Sequence, residues 1–476
     1  MTDRVRLAYV DREFSMGELD ALTAGMVDVL ASRGVRSGDR IALMSSNRPE
    51  FVFALRAAWA LGASVVLLSS AWKRAEVDHA LSLTGATHAV GDHPVLADAM
   101  DMLHLDAPVA PSERPLPVPD PDSDALFVFS SGTTGMPKAV RHTHRAFAVA
   151  IEHWRDALGL GPDDRMQIMT PPSHILGLLN IATALEAGAW LRLHPRFDVD
   201  TMLHHIESDR ITVEMAVAPI ALAFAAHPRL ESFDVSSLRY VMWCATPVTR
   251  SVAEAVAERI GIRWITAYGA SEFPVISSNP PQDTRLDTVG KPVAGVEMRI
   301  VSLDDGAVLG ACEDGEIQVR SASVMAGYLP DDATATAFDD DWYRTGDVGN
   351  LDADGYLRIT DRAKEMIKVR GFQVAPAEVE SVLHGHPAVA DCAVFGVPDP
   401  ADGEAIVAAV ALCGTVDEAE LIALIGDRLA SYKRPRRVVF VEKIPRLPSG
   451  KVLRRVLKER VMSACAKNGG PEWMSV

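Results

Sequence analysis

The sequence predicts an α/β protein of more than one domain, and three observations carry that expectation. Helical stretches alternate with short apolar strands over residues 15–69 and again over 143–280. From 285 to 360 the pattern changes to short strands separated by Gly/Asp turns, and a further module with its own helices and strands opens at 361. The chain has 476 residues, too many for one core at roughly 100–200 residues per domain.

Taken in order, residues 15–34 place Leu19, Leu22, Met26 and Leu30 at helical spacing and stop at Gly34. "RIALMSS" (40–46) is a strand, "PEFVFALRAAWALGA" (49–63) a helix with Pro49 in its first turn, and "SVVLLS" (64–69) the next strand. This order builds a parallel sheet flanked by helices. Residues 107–124 hold six prolines and make an extended surface crossing, which delivers the chain to the apolar strand "ALFVFS". "ITVEMAVAP" (211–219) and "SLRYVMWCA" (237–245) continue the alternation. Beyond 361, helices are expected near 376–384 and 417–430, and strands at 390–396 and 405–412.

The net charge of −17 argues against nucleic acid or an anionic membrane as a partner. Nearly all of the excess lies in 1–364, because residues 365–476 carry 15 basic and 14 acidic side chains. The basic runs "YKRPRR" (432–437) and "KVLRR" (451–455) read equally as solvated surface or as contacts for polyanions. Five scattered cysteines without metal-type spacing fit a reducing, cytoplasmic setting and argue against zinc. Neither a membrane span nor an apolar leader is expected.

"FSSGTTGMPKAV" (129–140) is the stretch richest in chemistry. Ser130, Ser131, Gly132, Thr133, Thr134, Gly135 and Lys138 follow a strand, so backbone N–H groups, hydroxyls and one cation face whatever the loop meets. A Walker loop needs its lysine directly after the second glycine; here the spacing is G-x-x-G-x-x-K, with Ala139 next. The dinucleotide pattern G-x-G-x-x-G is absent from this loop as well. Taken alone, the loop is a phosphate cradle of another kind or a flexible polar turn.

Other motifs break the tie. "PPSHILGL" (171–178), "YGASE" (268–272), "YRTGD" (343–347), "DRAKEMIKVRGFQVAPAEVE" (361–380) and "PRLPSGKVLRR" (445–455) follow in order. With the loop, they resemble the adenylate-forming superfamily of acyl-CoA synthetases, 4-coumarate-CoA ligases, firefly luciferase and peptide-synthetase adenylation domains. The resemblance covers about 10–460. It implies a large N-terminal domain, 1–363, of two sheet-and-helix subdomains plus a small β-rich one. A smaller, mobile α+β domain, 364–476, would follow.

The implied reaction joins a carboxylate to the α-phosphate of ATP, expels pyrophosphate, and passes the acyl group to CoA with release of AMP. Two anions must meet, so catalysis is largely charge neutralisation and positioning. By resemblance, Lys451 reaches the carboxylate and α-phosphate, Glu272 holds Mg²⁺, and Ser271 bonds the α-phosphate. Tyr268 beside Gly269 stacks on adenine, and Asp347 accepts from the ribose with Arg362 nearby. His174 sits at the acyl–pantetheine junction. Lys364 is the hinge, and Lys368 and Gln373 serve the cleft from the small domain. The implied partners are a small carboxylate, ATP and CoA, with an acyl carrier protein as a rival acceptor, in a monomer or homodimer.

Departures from the family pattern bear on specificity. Relatives carry a small "SGGAP" turn where this chain has "MWCATPV" (242–248), so Trp243, Cys244 and Ala245, with Phe273, are expected to trim the acyl pocket and favour a small or flat acid. The alternative places Trp243 in the core behind the turn. Glu214 interrupts an apolar strand; it either faces solvent at the strand end or receives a cationic substituent of the substrate. Rival functions are transfer to a carrier thiol, adenylation followed by amide or other N-bond formation, a regulatory nucleotide-binding protein on the same fold, and a Walker-type ATPase or kinase.

Overall fold

The computed structural model describes residues 4–130, 137–245, 250–283, 285–363, 365–369, 372–399, 403–446 and 452–467. The chain divides into two compact units: Met1–Met298 with Val319–Arg344, and Arg299–Gln318 with Thr345–Val476.

The first unit contains two large sheets with helices between their strands. The seven-stranded sheet runs, in spatial order, Gly327–Leu329, Lys138–Thr143, Asp124–Ser130, Ser64–Leu68, Arg40–Met44, His88–Gly91 and Met102–His104. Its middle strands are parallel, while Asp124–Ser130 and Lys138–Thr143 form an antiparallel hairpin in which Ser130 pairs with Lys138. The nine-stranded sheet is parallel through Trp264–Tyr268, Tyr240–Trp243, Val213–Ala216, Arg165–Ile168, Trp190–Leu193 and Val5–Tyr9. Both of its ends close with antiparallel strands. The helix–strand alternation produces these sheets because each crossover helix buries one face against them.

Local signals set the helix ends. Ser15 and Glu18 form a capping box at the start of Met16–Ser32, and Thr143 caps His144–Leu158, which stops at left-handed Gly159. The two N-terminal strands Val5–Tyr9 and Arg12–Ser15 carry no strong sequence signal. Val5–Tyr9 pairs with the distant strand Trp190–Leu193, and Arg12–Ser15 folds back antiparallel on Val5–Tyr9 as the edge strand.

Residues 297–362 are β-rich, as the Gly/Asp turns predict, with strands Glu297–Val301, Gly315–Arg320, Phe338–Asp339, Trp342–Leu351 and Leu357–Arg362. Within the second unit a further sheet runs Phe372–Val374, Ile367–Val369, Gly403–Leu412 and Val389–Asp399, with Arg437–Phe440 parallel on Gly403–Leu412. Alternate residues of Val389–Asp399 serve two cores. Cys392 and Val394 pack with the helices Pro376–His384 and Glu418–Arg428, while Ala393, Phe395 and Val397 pack with Leu457 and Val461. Among the described residues, no helix is long and apolar enough to cross a membrane.

Candidate active site

The phosphate-loop hairpin is built by burial and register. Ala125, Leu126, Phe127 and Val128 are buried, and the chain re-enters the sheet at Lys138 opposite Ser130. Ser131, Gly132, Thr133, Thr134 and Gly135 lie outside the described residues. His79 Nε2 lies 3.0 Å from the Pro137 carbonyl oxygen at the returning end. Lys138 Nζ stands 5.4 Å from the centre of the Tyr328 ring.

"YGASE" forms a tight turn at the end of Trp264–Tyr268. Ala270 N–H donates to Phe273 O at 2.9 Å and Phe273 N–H to Ala270 O at 3.2 Å, which leaves Ser271 and Glu272 at the tip. Gly269 is required, because a Cβ there would stand 2.1 Å from Pro274 O. The turn is tied down from two neighbouring segments. His142 Nε2 donates to Ser271 O at 2.7 Å, Met325 N–H donates to Glu272 O at 2.9 Å, and the Tyr328 hydroxyl donates to Glu272 Oε1 at 2.8 Å. Burial pushes the His142 imidazole down to about 4, so it is neutral and its Nε2 carries the proton. Burial raises the phenols of Tyr328 and Tyr343, with the Glu272 charge adding to the effect.

Glu272 is 9 % exposed and has one oxygen committed to a phenol. Among the described residues no group of three or more His, Cys, Asp or Glu could hold a metal ion. A lone, nearly buried carboxylate with one oxygen held suits Mg²⁺, which takes one or two protein carboxylates and fills its other positions with phosphate and water.

His174 caps the helix Ile175–Glu186, with Leu176 N–H donating to its Nδ1 at 3.4 Å. Burial lowers its affinity for a proton. The segment before it is held by Asn47 Nδ2, which donates to Thr170 O at 3.0 Å. Gly177 permits close packing, because a Cβ there would meet Pro171 O at 2.2 Å.

Trp243 is fully enclosed. It shares a face of its strand with Val241 and packs with Ile206, Ile220, Phe224 and Val256, its ring centre 5.5 Å from that of Trp264. This corrects the expectation that its bulk trims the acyl pocket, since a ring inside the core removes no volume from a cleft. Cys244 is buried too, and burial pushes its thiol up to about 12. Ala245 turns the chain with φ +63°, and Phe273 is fully buried. Residues 246–249 lie outside the described residues.

Glu214 takes neither position expected from the sequence. It is 1 % exposed, accepts from Gln167 Nε2 at 2.6 Å and from Met215 N–H at 2.9 Å, and burial pushes its carboxyl up to about 8. Gln167 Oε1 in turn lies 2.8 Å from His194 Nε2, and Gln167 Nε2 also donates to Met202 O. The strand tolerates a carboxyl here because an amide network meets it.

In the second unit, Asp347 and Arg362 face each other across antiparallel strands with Nε–Oδ1 at 2.9 Å. Thr345 Oγ1 accepts from Asp347 N–H at 3.1 Å and donates to Ile317 O at 2.7 Å. Lys368 is exposed on Ile367–Val369, in register with Gln373. Lys364, Lys451 and the Gln373 side chain lie outside the described residues. Lys433, Arg436 and Arg437 of the basic run pair with Glu378, Asp399 and Glu418.

Sequence reading missed His142, Tyr328 and Tyr343. The signals were "RHTH", "GYLP" and the tyrosine that opens "YRTGD". They were silent because the contacts are long-range: Ser271 is 129 residues from His142 and Glu272 is 56 from Tyr328.

The turn closed at Gly269 presents one carboxylate, Glu272, and Tyr328 links it to the strand that begins at Lys138. The model of the AMP-binding enzyme family matches residues 1–329, and that of the AMP-binding enzyme C-terminal domain matches 378–451. A 4-coumarate–CoA ligase of Vanilla planifolia is 32% identical, covering 95% of this chain and 90% of the relative. A feruloyl-CoA synthase of an Amycolatopsis species is 34% identical over 93% of each. Among solved structures, ATP-bound MatB from Rhodopseudomonas palustris superposes with a TM-score of 0.91 at 27% identity, covering 96% of both chains. The amide bond synthetase McbA from Marinactinospora thermotolerans gives 0.88 at 31%, also covering 96% of both. The chain belongs to the AMP-binding enzyme family, on its acyl-CoA synthetase side. It is an AMP-forming acyl-CoA ligase that uses ATP, Mg²⁺ and CoA.

Proposed function

We propose that the acid is a small aromatic carboxylate of the hydroxycinnamate type. The observation that carries this is the similarity, over more than nine-tenths of the chain, to relatives named for 4-coumarate and ferulate. The bulk of Trp243 contributes nothing to it. A pyrophosphate-release screen over hydroxycinnamates, benzoates, short-chain and long-chain acids tests the reading. It expects the highest kcat/KM with an aromatic acid; preference for a long-chain fatty acid would overturn it.

The residue roles we propose are those that the family resemblance implies. Tyr268 stacks on adenine beside Gly269, Ser271 bonds the α-phosphate, and Glu272 holds the cation. Ser130 through Gly135 and Lys138 grip the β- and γ-phosphates. Asp347, oriented by Arg362, accepts from the ribose. Lys451 neutralises the two anions as they meet, and His174, neutral in its buried setting, lines the acyl end. The C-terminal domain, beginning at Lys364, presents Lys451 for adenylation and Lys368 with Gln373 for thioester formation. The protein acts in the cytoplasm as a monomer or homodimer.

A second reading, adenylation followed by amide formation, is favoured by the likeness to McbA. Incubation with ATP, the acid and either CoA or an amine separates the two by product.

A further inference from the structure

Tyr328 sits on the short strand Gly327–Leu329, whose register places it opposite Val140 and places Leu329 opposite Ala139, next to Lys138. Its backbone N–H donates to Thr334 Oγ1 at 2.9 Å, and Ala326 N–H donates to Arg141 O at 2.8 Å, so the strand is fixed to the phosphate-loop hairpin. The side chain is 9 % exposed. Its hydroxyl reaches Glu272 Oε1 at 2.8 Å, and its ring lies 5.4 Å from Lys138 Nζ. The Tyr343 phenol hydrogen-bonds with the Tyr328 hydroxyl. One residue therefore touches both the carboxylate of "YGASE" and the lysine of the phosphate loop, although the two motifs are far apart in sequence.

We propose that Tyr328 is a positioning residue for the ATP half-reaction: its phenol fixes the Glu272 carboxylate toward the nucleotide-bound cation, and its ring seats Lys138 over the departing phosphates. A carboxylate held by one hydrogen bond loses rotational freedom, which leaves its second oxygen aimed rather than searching. An ammonium over a phenol face is likewise restrained without being neutralised, so it keeps its charge for phosphate. The inference rests on the reading of Glu272 as the Mg²⁺ ligand and names the group that orients it.

The test uses the full-length protein with Mn²⁺ and ATP as the probe, followed by enhancement of the water-proton relaxation rate, which separates the protein-bound metal–nucleotide from Mn²⁺–ATP in solution. Tyr328→Phe deletes one hydroxyl and keeps the ring; Glu272→Gln and the double variant complete a cycle, with melting temperature recorded for each. Tyr328→Phe is expected to weaken Mn²⁺ binding about tenfold. The double variant should bind Mn²⁺ no more weakly than Glu272→Gln alone. In ATP–pyrophosphate exchange at saturating metal, Tyr328→Phe should regain most of its kcat, whereas a purely structural role would lower kcat and leave the metal midpoint in place. Tyr328→Leu, which also removes the ring, should raise the KM for ATP beyond that of Tyr328→Phe. An unchanged Mn²⁺ midpoint in Tyr328→Phe, with a shifted one in Glu272→Gln, overturns the inference alone. An unchanged midpoint in Glu272→Gln overturns the metal assignment itself.

Discussion

Glu214 and Glu272 are two nearly buried carboxyl groups in the same compact unit, and their surroundings differ. Glu214 lies inside the core, where Gln167 and the backbone of Met215 satisfy both oxygens and burial holds its carboxyl up at about 8. Glu272 lies at the tip of a glycine-gated turn, with one oxygen held by Tyr328 and the backbone clamped through Met325. Burial of an acid is therefore no sign of function. What distinguishes a working carboxylate is an oxygen left for a ligand and a scaffold that fixes its direction.

Substitutions at and around the two sites can break this comparison. The largest effect is expected at Lys451. Lys451→Ala should lower ATP–pyrophosphate exchange by about 10²–10³-fold, as for other groups that stabilise developing charge, while thioester formation from supplied acyl-adenylate persists. Glu272→Gln should cost about tenfold to a hundredfold in kcat/KM for MgATP, with partial rescue by higher metal concentration. Glu214→Gln should leave that parameter unchanged; a comparable loss there would erase the contrast.

Trp243→Ala sharpens the same contrast between core and cleft. Opening a cavity beside Trp264 should destabilise the fold by about 3–5 kcal/mol in denaturant unfolding. The ranking of acid substrates should stay the same. A shift toward longer acids would place the ring in the pocket after all.

The smallest effect is the pH dependence of Glu214. Its carboxyl is raised from the ordinary 4.5 to about 8 in the folded protein, so between those values the folded state holds a proton that the unfolded chain releases. Stability is consequently lost as pH rises from about 5 to 8. Glu214→Gln removes this loss, and should gain about 1–3 kcal/mol on the parent at pH 8 relative to pH 5. Paired melting curves at the two pH values read it directly.

Much of this architecture is legible in the sequence. The helices at 49–63 and 376–384 and the strands at 40–46 and 64–69 announced themselves through periodicity, a first-turn proline and unbroken apolar runs. The strands Val5–Tyr9 and Arg12–Ser15 did not, because the first joins the sheet through residues 190–193, far along the chain, and the second pairs only with the first. The same limit applies at the site. The family resemblance pointed to Tyr268, Ser271, Glu272, Asp347 and Arg362, and the structure pairs Asp347 with Arg362 across two strands. The clamp of His142 and Tyr328 is made of long-range contacts that no local pattern encodes. Composition left Trp243 open between pocket and core, and the core reading holds; it gave Glu214 neither of its true partners, because a strand within a helix-covered sheet has two buried faces.

The central claim is attack of a carboxylate on the α-phosphate of ATP. It is tested most directly with an ¹⁸O-labelled aromatic acid, ATP and CoA, followed by mass spectrometry of the nucleotide product. One ¹⁸O atom carried into AMP, with unlabelled pyrophosphate, is the predicted result. ADP as the product, or AMP free of label, would contradict it.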